Sequence, residues 1–301
     1  MPIEQAVFSS ARTATREGYQ VVAASAGASP TDLGQLTVCC PTHDSLAPGR
    51  SPAGSVNYWP LASGSRCISR TTPSGGEYSG RGGPNIETRC LLVPNEVWYR
   101  FGANAFVVLR AAEAAGRFPR VSAVPGGEQS RLASFELPGR AALVDRMLLG
   151  QIAARREALV LALVLDALLR TPPQTGHSVA VAGAAAPELM CAAVVNCLPL
   201  EMRSALSFST ALVPSRQRPL RLVFVEAPYD HAHTLIDVSR IGAEVLAALT
   251  YGGAHGQQRL GGWARLVYRS LTGRSVGRVA AELERLPADA SPEVLNGCDR
   301  G

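Results

Sequence analysis

The sequence has 301 residues, of which 47% are apolar and 18% charged, as expected for a folded protein large enough for two domains. All 29 basic residues are arginines, and the sequence contains no lysine. It therefore lacks the phosphate-binding lysine of a P-loop GTPase or ATPase, a Schiff-base lysine and a lysine general base.

The charge distribution and the cysteine content narrow the class of protein further. A net charge of +5 from scattered arginines does not form the basic patch of a nucleic-acid-binding protein. The N-terminus has no export signal, and seven cysteines, an odd number, indicate free thiols. The longest apolar run, residues 158–165, is far shorter than the roughly 20 residues that span a bilayer. We therefore expect a cytoplasmic protein that binds neither membrane nor nucleic acid.

The N-terminal part of the sequence predicts strands. Residues 3–10 and 19–25 have the composition of two strands joined in an antiparallel hairpin. Ser29-Pro30-Thr31-Asp32 has the hydroxyl cap, proline and acidic residue of a helix start, and this helix is predicted to end near Leu36. A loop rich in proline, glycine and serine is then expected as far as Asn57.

Two further strands are predicted at residues 66–71 and 86–93. Between them, residues 72–84 contain five glycines, which indicate a mobile loop or a set of tight turns. A helix over residues 105–115 is expected to stop at Gly116. Residues 118–139 contain repeated proline and glycine turn signals, and we interpret them as the junction between two domains.

The second half of the sequence predicts mainly helices around a short sheet. A long apolar helix, broken near Gly150, is expected over residues 140–170, where Pro172-Pro173 ends it. The other predicted helices cover residues 187–198, 237–250, 258–271 and 276–286, with a short one starting at Pro199. The predicted strands cover residues 177–181, 206–213 and 220–225, and the tail from Pro287 is expected to fray.

These elements predict an α+β protein. Residues 1–117 form a β-rich N-terminal domain, and residues 118–139 form a linker. Residues 140–290 form a helix-rich, α/β-type middle domain with a short sheet, and residues 291–301 form a tail.

Several short motifs resemble a bacterial family, GTPase-associated protein 1. Ile3-Glu4-Gln5-Ala6-Val7-Phe8-Ser9-Ser10, Gly18-Tyr19-Gln20-Val21-Val22-Ala23, Pro41-Thr42-His43-Asp44-Ser45-Leu46 and Gly80-Arg81-Gly82-Gly83 are similar to its second type of N-terminal domain. Leu198-Pro199, Arg203 and Leu206-Ser207-Phe208-Ser209-Thr210 are similar to its middle domain. The motifs occur in the family order over most of residues 1–290, and longer members have a further C-terminal domain where this sequence ends.

The resemblance implies an adaptor or scaffold that works with a partner GTPase and other proteins of a bacterial conflict (defence) system. It supplies no catalytic residues and implies no cofactor. The sequence leaves the oligomeric state undetermined. The alternative is an enzyme, a small hydrolase or nucleotide-binding protein centred on the loop at residues 75–83 and His43.

The glycine-rich loop is the first candidate site. Its backbone N–H groups, with Arg81, are able to form an anion-binding nest, but no lysine or helix N-terminus follows, which favours a plain connecting loop. A sharper hypothesis places Arg81 in the active site of a partner GTPase as an arginine finger. We include Arg81, Gly82 and Gly83 among the candidate partner-binding residues.

The segment Cys39-Cys40-Pro41-Thr42-His43-Asp44 is the second candidate site. Structural zinc needs four convergent ligands, and the sequence offers no second pair with suitable spacing, so we expect no metal there. The thiols are instead expected to pack as small apolar side chains, and His43 to fix the turn. A Cys–His hydrolase site would have to be assembled by the fold, since no nucleophile motif is present.

Aromatic residues form the third candidate site. Trp98, Tyr99 and Phe101 are predicted to anchor the core. For Tyr58-Trp59, core packing and contact with a partner both remain open, since large aromatic residues serve in both. The candidate partner-binding set is therefore Arg81, Gly82, Gly83, Tyr58, Trp59 and His43.

Overall fold

The computed structural model describes residues 1–12, 17–47, 54–76, 84–118, 130–153, 155–171, 177–215, 217–218, 220–226, 234–241 and 260–298. The chain divides into two compact units. The first unit comprises Met1–Ala141 and Ala205–Leu220, and the second comprises Ala142–Ser204 and Arg221–Gly301. These units describe compactness in the folded chain. The predicted boundaries at residues 117 and 140, which concern domains that fold independently, remain a prediction.

The predicted α+β class is confirmed. The strands are β1 Glu4–Arg12, β2 Glu17–Ser25, β3 Ser55–Pro60, β4 Arg66–Gly76, β5 Pro84–Val93, β6 Ser130–Leu132, β7 Val179–Ala182, β8 Phe208–Ser209, β9 Leu222–Val225 and β10 Thr234–Asp237. The helices are α1 Pro30–Cys39, α2 Asn95–Arg100, α3 Ala105–Ala114, α4 Arg146–Gln151, α5 Arg155–Arg170, α6 Pro187–Asn196, α7 Leu200–Ala205, α8 Gly262–Thr272, α9 Val276–Arg285 and α10 Pro292–Gly297.

The sheet of the first unit has the strand order β8-β3-β4-β5-β1-β2-β6. All neighbours are antiparallel except β2 and β6. The predicted hairpin of β1 and β2 is therefore confirmed. Because side chains alternate between the two faces of a strand, Tyr58 and Trp59 lie on opposite faces of β3.

Each face of this sheet has its own apolar cluster. On the Trp59 face, Leu36 and Cys40 of the α1 region pack against Phe8, Cys67 and other strand residues. On the Tyr58 face the cluster is aromatic: Tyr58 stacks on Trp98 at 4.9 Å, and Phe106 stacks on Phe208 at 5.2 Å between ring centroids. Both faces of β3 are therefore covered.

A buried polar network occupies the rest of the Trp59 face. It consists of Ser55, Asn57, Ser69, Thr71, Thr88 and Ser209, none of which is exposed to solvent. Asn57 lies at its centre: it accepts from Ser55 Oγ at 2.7 Å, and its Nδ2 donates to Ser69 Oγ and Thr71 Oγ1 at 3.2 Å. Ser55 Oγ and Ser209 Oγ are 3.0 Å apart, so the network joins β8 to β3.

Several boundaries in the first unit differ from the prediction. Helix α1 begins at its Ser29 cap, as predicted, but continues past Leu36 to Cys39, because the Cys40 N–H still donates to the Leu36 carbonyl. The predicted loop to Asn57 is wrong at its end, since β3 begins at Ser55 and pairs with β4. Gly54 allows this start: its φ is +74°, and a Cβ there would collide with the Thr71 carbonyl oxygen.

The glycine-rich segment and the predicted junction also contain strand residues. Strand β4 continues to Gly76 with a bulge after Pro73, so the start of the predicted loop is wrong, and residues 77–83 lie outside the described residues. Within the predicted junction, β6 pairs with β2, and the Phe135 carbonyl accepts from the Ile3 N–H at 2.7 Å. Residues 130–137 therefore belong to the sheet edge of the first unit.

The second unit contains the parallel strands β10-β7-β9 and most of the helices. The predicted break near Gly150 is confirmed, because α4 ends at Gln151 and α5 begins at Arg155. The helix predicted from Asp237 is wrong at its start, where β10 leads into a short 3-10 helix; residues 242–250 lie outside the described residues. In the described part of the chain, no helix is long and apolar enough to cross a membrane.

Two further predictions for the second half need correction. The strand predicted over residues 206–213 contains only the two residues of β8, which pair with β3 in the first unit. The predicted frayed tail is wrong over residues 291–298, because α10 forms there with a Ser291 cap and a fully buried Leu295; residues 299–301 lie outside the described residues.

Candidate functional site

Of the six predicted partner-binding residues, the structure describes His43, Tyr58 and Trp59. Arg81, Gly82 and Gly83 lie outside the described residues. His43 is exposed in the turn after α1, where its ring centroid is 6.0 Å from that of Tyr19. Tyr58 and Trp59 are both buried, in different environments.

Tyr58 is a core residue. Its ring lies against Trp98 and Phe208, its exposed fraction is 0%, and burial raises the pKa of its hydroxyl. Trp98 and Phe101 are also buried, as predicted for core anchors. Of the two roles left open for Tyr58, core packing is the one that the structure describes.

The two adjacent cysteines at the end of α1 point into different surroundings. Cys40 is buried, and its sulfur is 3.8 Å from that of Cys90, whereas Cys39 is half-buried. Burial raises the pKa of the Cys40 and Cys67 thiols, while hydrogen bonds from these two thiols lower the pKa of Cys90. Within the described residues, no three potential ligands from His, Cys, Asp and Glu are arranged to hold a metal ion.

A pocket lies in the first unit, between α1, the end of β3 and the chain on either side of β8. Its volume is about 160 Å³. It is lined by Gln35, Cys39, Trp59, Pro60, Ala205, Ser207, Arg218 and Leu220. The sequence did not indicate this pocket, because its residues come from three segments far apart in the chain.

Arg218 is the charged residue among those that line the pocket. Its Nη2 donates to the Val213 carbonyl at 3.1 Å and lies 3.5 Å from Ser45 Oγ. Burial lowers the pKa of its guanidinium, although the nearby Cys40 and Cys39 oppose this change. Burial likewise raises the pKa of the Cys39 thiol, and the positive charge of Arg218 acts in the opposite direction.

The motif Leu198-Pro199 to Arg203 in the second unit has a structural role. Arg203 is 1% exposed, and its guanidinium donates to the carbonyls of Leu198 at 2.6 Å, Leu143 at 2.7 Å and Asn196 at 3.0 Å. Asn196 ends α6, so the cation lies at the negative end of that helix dipole. Arg203 therefore fixes the chain where α6 turns into α7.

A comparison with protein families finds a match in the N-terminal part of the chain. Residues 2–129 match the family described as GTPase-associated protein 1, N-terminal domain type 2. This confirms the expectation for the N-terminal part of the chain, and the likeness of residues 198–210 to a middle domain stays a prediction. A search of curated proteins found no significant match.

Proposed function

We propose, on the premise that residues 2–129 are a type 2 N-terminal domain of the GTPase-associated protein 1 family, that the chain is a non-enzymatic adaptor. It would act as a scaffold subunit with a partner GTPase and other proteins of a bacterial conflict (defence) system. The family match supports this proposal. Because these 301 residues contain no lysine for a P-loop, the proposed GTPase activity would come from outside them.

The exposed end of α1 is the surface that we assign to the partner. Val38 on α1 is 61% exposed, and Val213 is 37% exposed. The Val213 N–H donates to the Ser45 carbonyl at 2.7 Å, which holds this valine beside the turn that contains His43. Exposed apolar side chains next to polar ones are typical of protein-binding surfaces. Val38, Val213 and His43 form the proposed partner surface.

Co-purification tests the proposal directly. The full chain is mixed with the GTPase encoded beside it in three states: bound to GDP, bound to a non-hydrolysable GTP analogue, and free of nucleotide. We expect a complex in at least one state, and a Val38→Asp substitution should weaken it at least about tenfold, since a desolvated charge opposes binding. Met147→Asp is the matched control, because Met147 is 83% exposed and lies in the second unit.

The absence of a complex in all three nucleotide states would contradict the adaptor role. A complex that forms equally well with Val38→Asp would retain the adaptor role but contradict the assigned surface. Replacing Arg81 by Ala then separates two kinds of adaptor. A passive scaffold leaves the GTP hydrolysis rate of the partner unchanged, whereas an arginine finger would lower it by about 10³-fold or more.

A further inference from the structure

The pocket beside α1 combines apolar walls with one cation. Trp59, Pro60 and Leu220 provide apolar surface, and the guanidinium of Arg218 provides the charge. Small-ligand sites have this composition: mostly apolar lining, with a few polar groups that fix the orientation of the ligand. This resemblance to a ligand site does not depend on the partner GTPase.

The charge of Arg218 indicates the sign of the ligand. Among the described residues, no carboxylate lies within 4.0 Å of its guanidinium, and its hydrogen bonds go to the neutral oxygens of Val213 and Ser45. A half-buried guanidinium without a counter-ion favours binding of an anion. Its planar fork matches a carboxylate with two parallel hydrogen bonds.

Two donors of residues that line the pocket lack acceptors among the described residues, and one of them belongs to the same Arg218 guanidinium. They are Trp59 Nε1 and Arg218 Nε, both of which are buried. A buried donor without an acceptor destabilises a protein by about 1–3 kcal/mol. Both nitrogens are covered by neighbouring protein atoms, so an oxygen of a ligand would reach them only if those atoms moved.

The volume of the pocket limits the size of the ligand. The pocket holds about 160 Å³. An engineered apolar cavity of about 150 Å³ in another protein binds benzene. The body of the ligand is therefore about as large as one six-membered ring or a short aliphatic chain.

From the lining, the charge and the size, we infer that this pocket binds a free small organic carboxylate. The carboxylate pairs with Arg218, and an apolar body packs on Trp59, Pro60 and Leu220. The same chemistry is present at the C-terminal residue of a protein chain, and the test below distinguishes the two sources.

Cys39 provides a reporter for occupancy of the pocket. It lines the pocket and is half-buried, as is Cys298 in the second unit, whereas the other five cysteines are buried. Iodoacetamide, which is neutral, alkylates both half-buried thiols: the S–C bond forms, iodide leaves and the thiol proton passes to solvent. Peptide mass spectrometry then gives the two rates in one sample, with Cys298 as the internal control.

Benzoate and benzamide are the paired probes, since they have the same ring and differ in charge. Benzoate should slow alkylation of Cys39 at about tenfold lower concentration than benzamide, because charge-assisted hydrogen bonds are the stronger ones. The rate at Cys298 should not change. Equal protection by the two probes, or none by benzoate, would overturn the inference.

Two variants test the role of Arg218. Arg218→Gln should remove the advantage of benzoate over benzamide, while Arg285→Gln, at an arginine that is 74% exposed in the second unit, should leave it intact. If Arg218→Gln does not fold, Arg218→Lys retains the charge and should reduce the advantage without abolishing it. An unchanged advantage in a folded Arg218 variant would overturn the assignment.

The tripeptide Gly-Gly-Phe and its C-terminal amide distinguish the source of the carboxylate. Protection by benzoate supports a free small carboxylate. If the tripeptide acid protected Cys39 and benzoate did not, the inference of a free small carboxylate would be wrong, and the C-terminal residue of a protein chain would be the ligand.

Discussion

At the scale of single residues, Arg203 shows how a buried charge is stabilised by backbone carbonyls. Burial lowers the pKa of its guanidinium to about 10, with the neighbouring Cys197 acting in the opposite direction. The three carbonyls of Leu198, Leu143 and Asn196 would lose their donor in an Arg203→Leu variant. We expect the free energy of unfolding to fall by about 3 kcal/mol, as measured by urea denaturation of the full chain.

Arg285→Leu is the control for this substitution, because Arg285 is 74% exposed and its pair with Glu282 lies at the surface. We expect it to change stability by less than about 1 kcal/mol. If the Arg203→Leu and Arg285→Leu variants unfolded at the same urea concentration, the role assigned to Arg203 would be wrong.

The Cys197 thiol predicts a pH dependence of stability. Burial raises its pKa from the ordinary 9.0 to about 12. Between these values the unfolded chain has lost the proton and the folded chain retains it, so stability is full below about pH 9 and declines as pH rises towards 12. The decline due to this thiol is about 1.4 kcal/mol per pH unit. Urea midpoints at about pH 8 and about pH 10 should differ less in a Cys197→Ala variant than in the natural chain; equal differences would contradict this prediction.

At the scale of elements, the polar network links the side chains of β3, β4, β5 and β8 by hydrogen bonds. An Asn57→Leu substitution would leave the hydroxyls of Ser55, Ser69 and Thr71 without the amide between them. The expected loss of stability is about 2 kcal/mol, seen as a lower melting temperature of the full chain.

Asn95→Leu serves as the comparison, because Asn95 is exposed at the start of α2 and has no capping role there. It should melt within a degree or two of the natural chain. Equal melting temperatures for the two variants would show that the buried network adds nothing to stability.

The same network explains why the sequence predicted some strands and missed another. The strand-forming composition of β1 and β2 and the Ser29 cap of α1 are local signals, and the structure has two strands and a helix start at these positions. The first three residues of β3 fall within the predicted loop, because Ser55 and Asn57 are polar and polar residues usually indicate solvent, whereas here both are buried.

The pocket and the last helix were missed for different reasons. Cys39, Trp59 and Arg218 meet because β8 pairs with β3, a long-range contact that local patterns do not determine. Helix α10, by contrast, had a local signal in Ser291-Pro292-Glu293, with a hydroxyl cap, a proline and an acidic residue at its start. The surrounding Asp, Pro, Asn and Gly residues outweighed that signal.

At the scale of the whole molecule, the first unit is discontinuous in sequence, since it needs Ala205–Leu220 as well as Met1–Ala141. A fragment of residues 1–141 would lack β8, so the edge of β3 and the Ser55 hydroxyl would lose their partners. We expect such a fragment to unfold at lower urea concentration, or to aggregate through its free edge. Addition of a peptide of residues 205–220 should restore stability, whereas a peptide with the same composition in scrambled order should not.

A fragment that is as stable as the full chain, or one that both peptides stabilise equally, would show that β8 is dispensable. Either result would also mean that pairing of β8 with β3 does not hold the pocket together. Four residues that line the pocket belong to the same segment as β8: Ala205, Ser207, Arg218 and Leu220.

Because Ala205–Leu220 belongs to the first unit, that unit cannot complete its fold until these residues have been synthesised. Translation proceeds at roughly 5–20 residues per second, so the N-terminal strands leave the exit tunnel several seconds before their last partner. Residues 142–204 must be synthesised in the interval. The edge strand β3 of the nascent sheet is therefore unpaired for several seconds. During that time a chaperone that recognises extended segments is able to bind it.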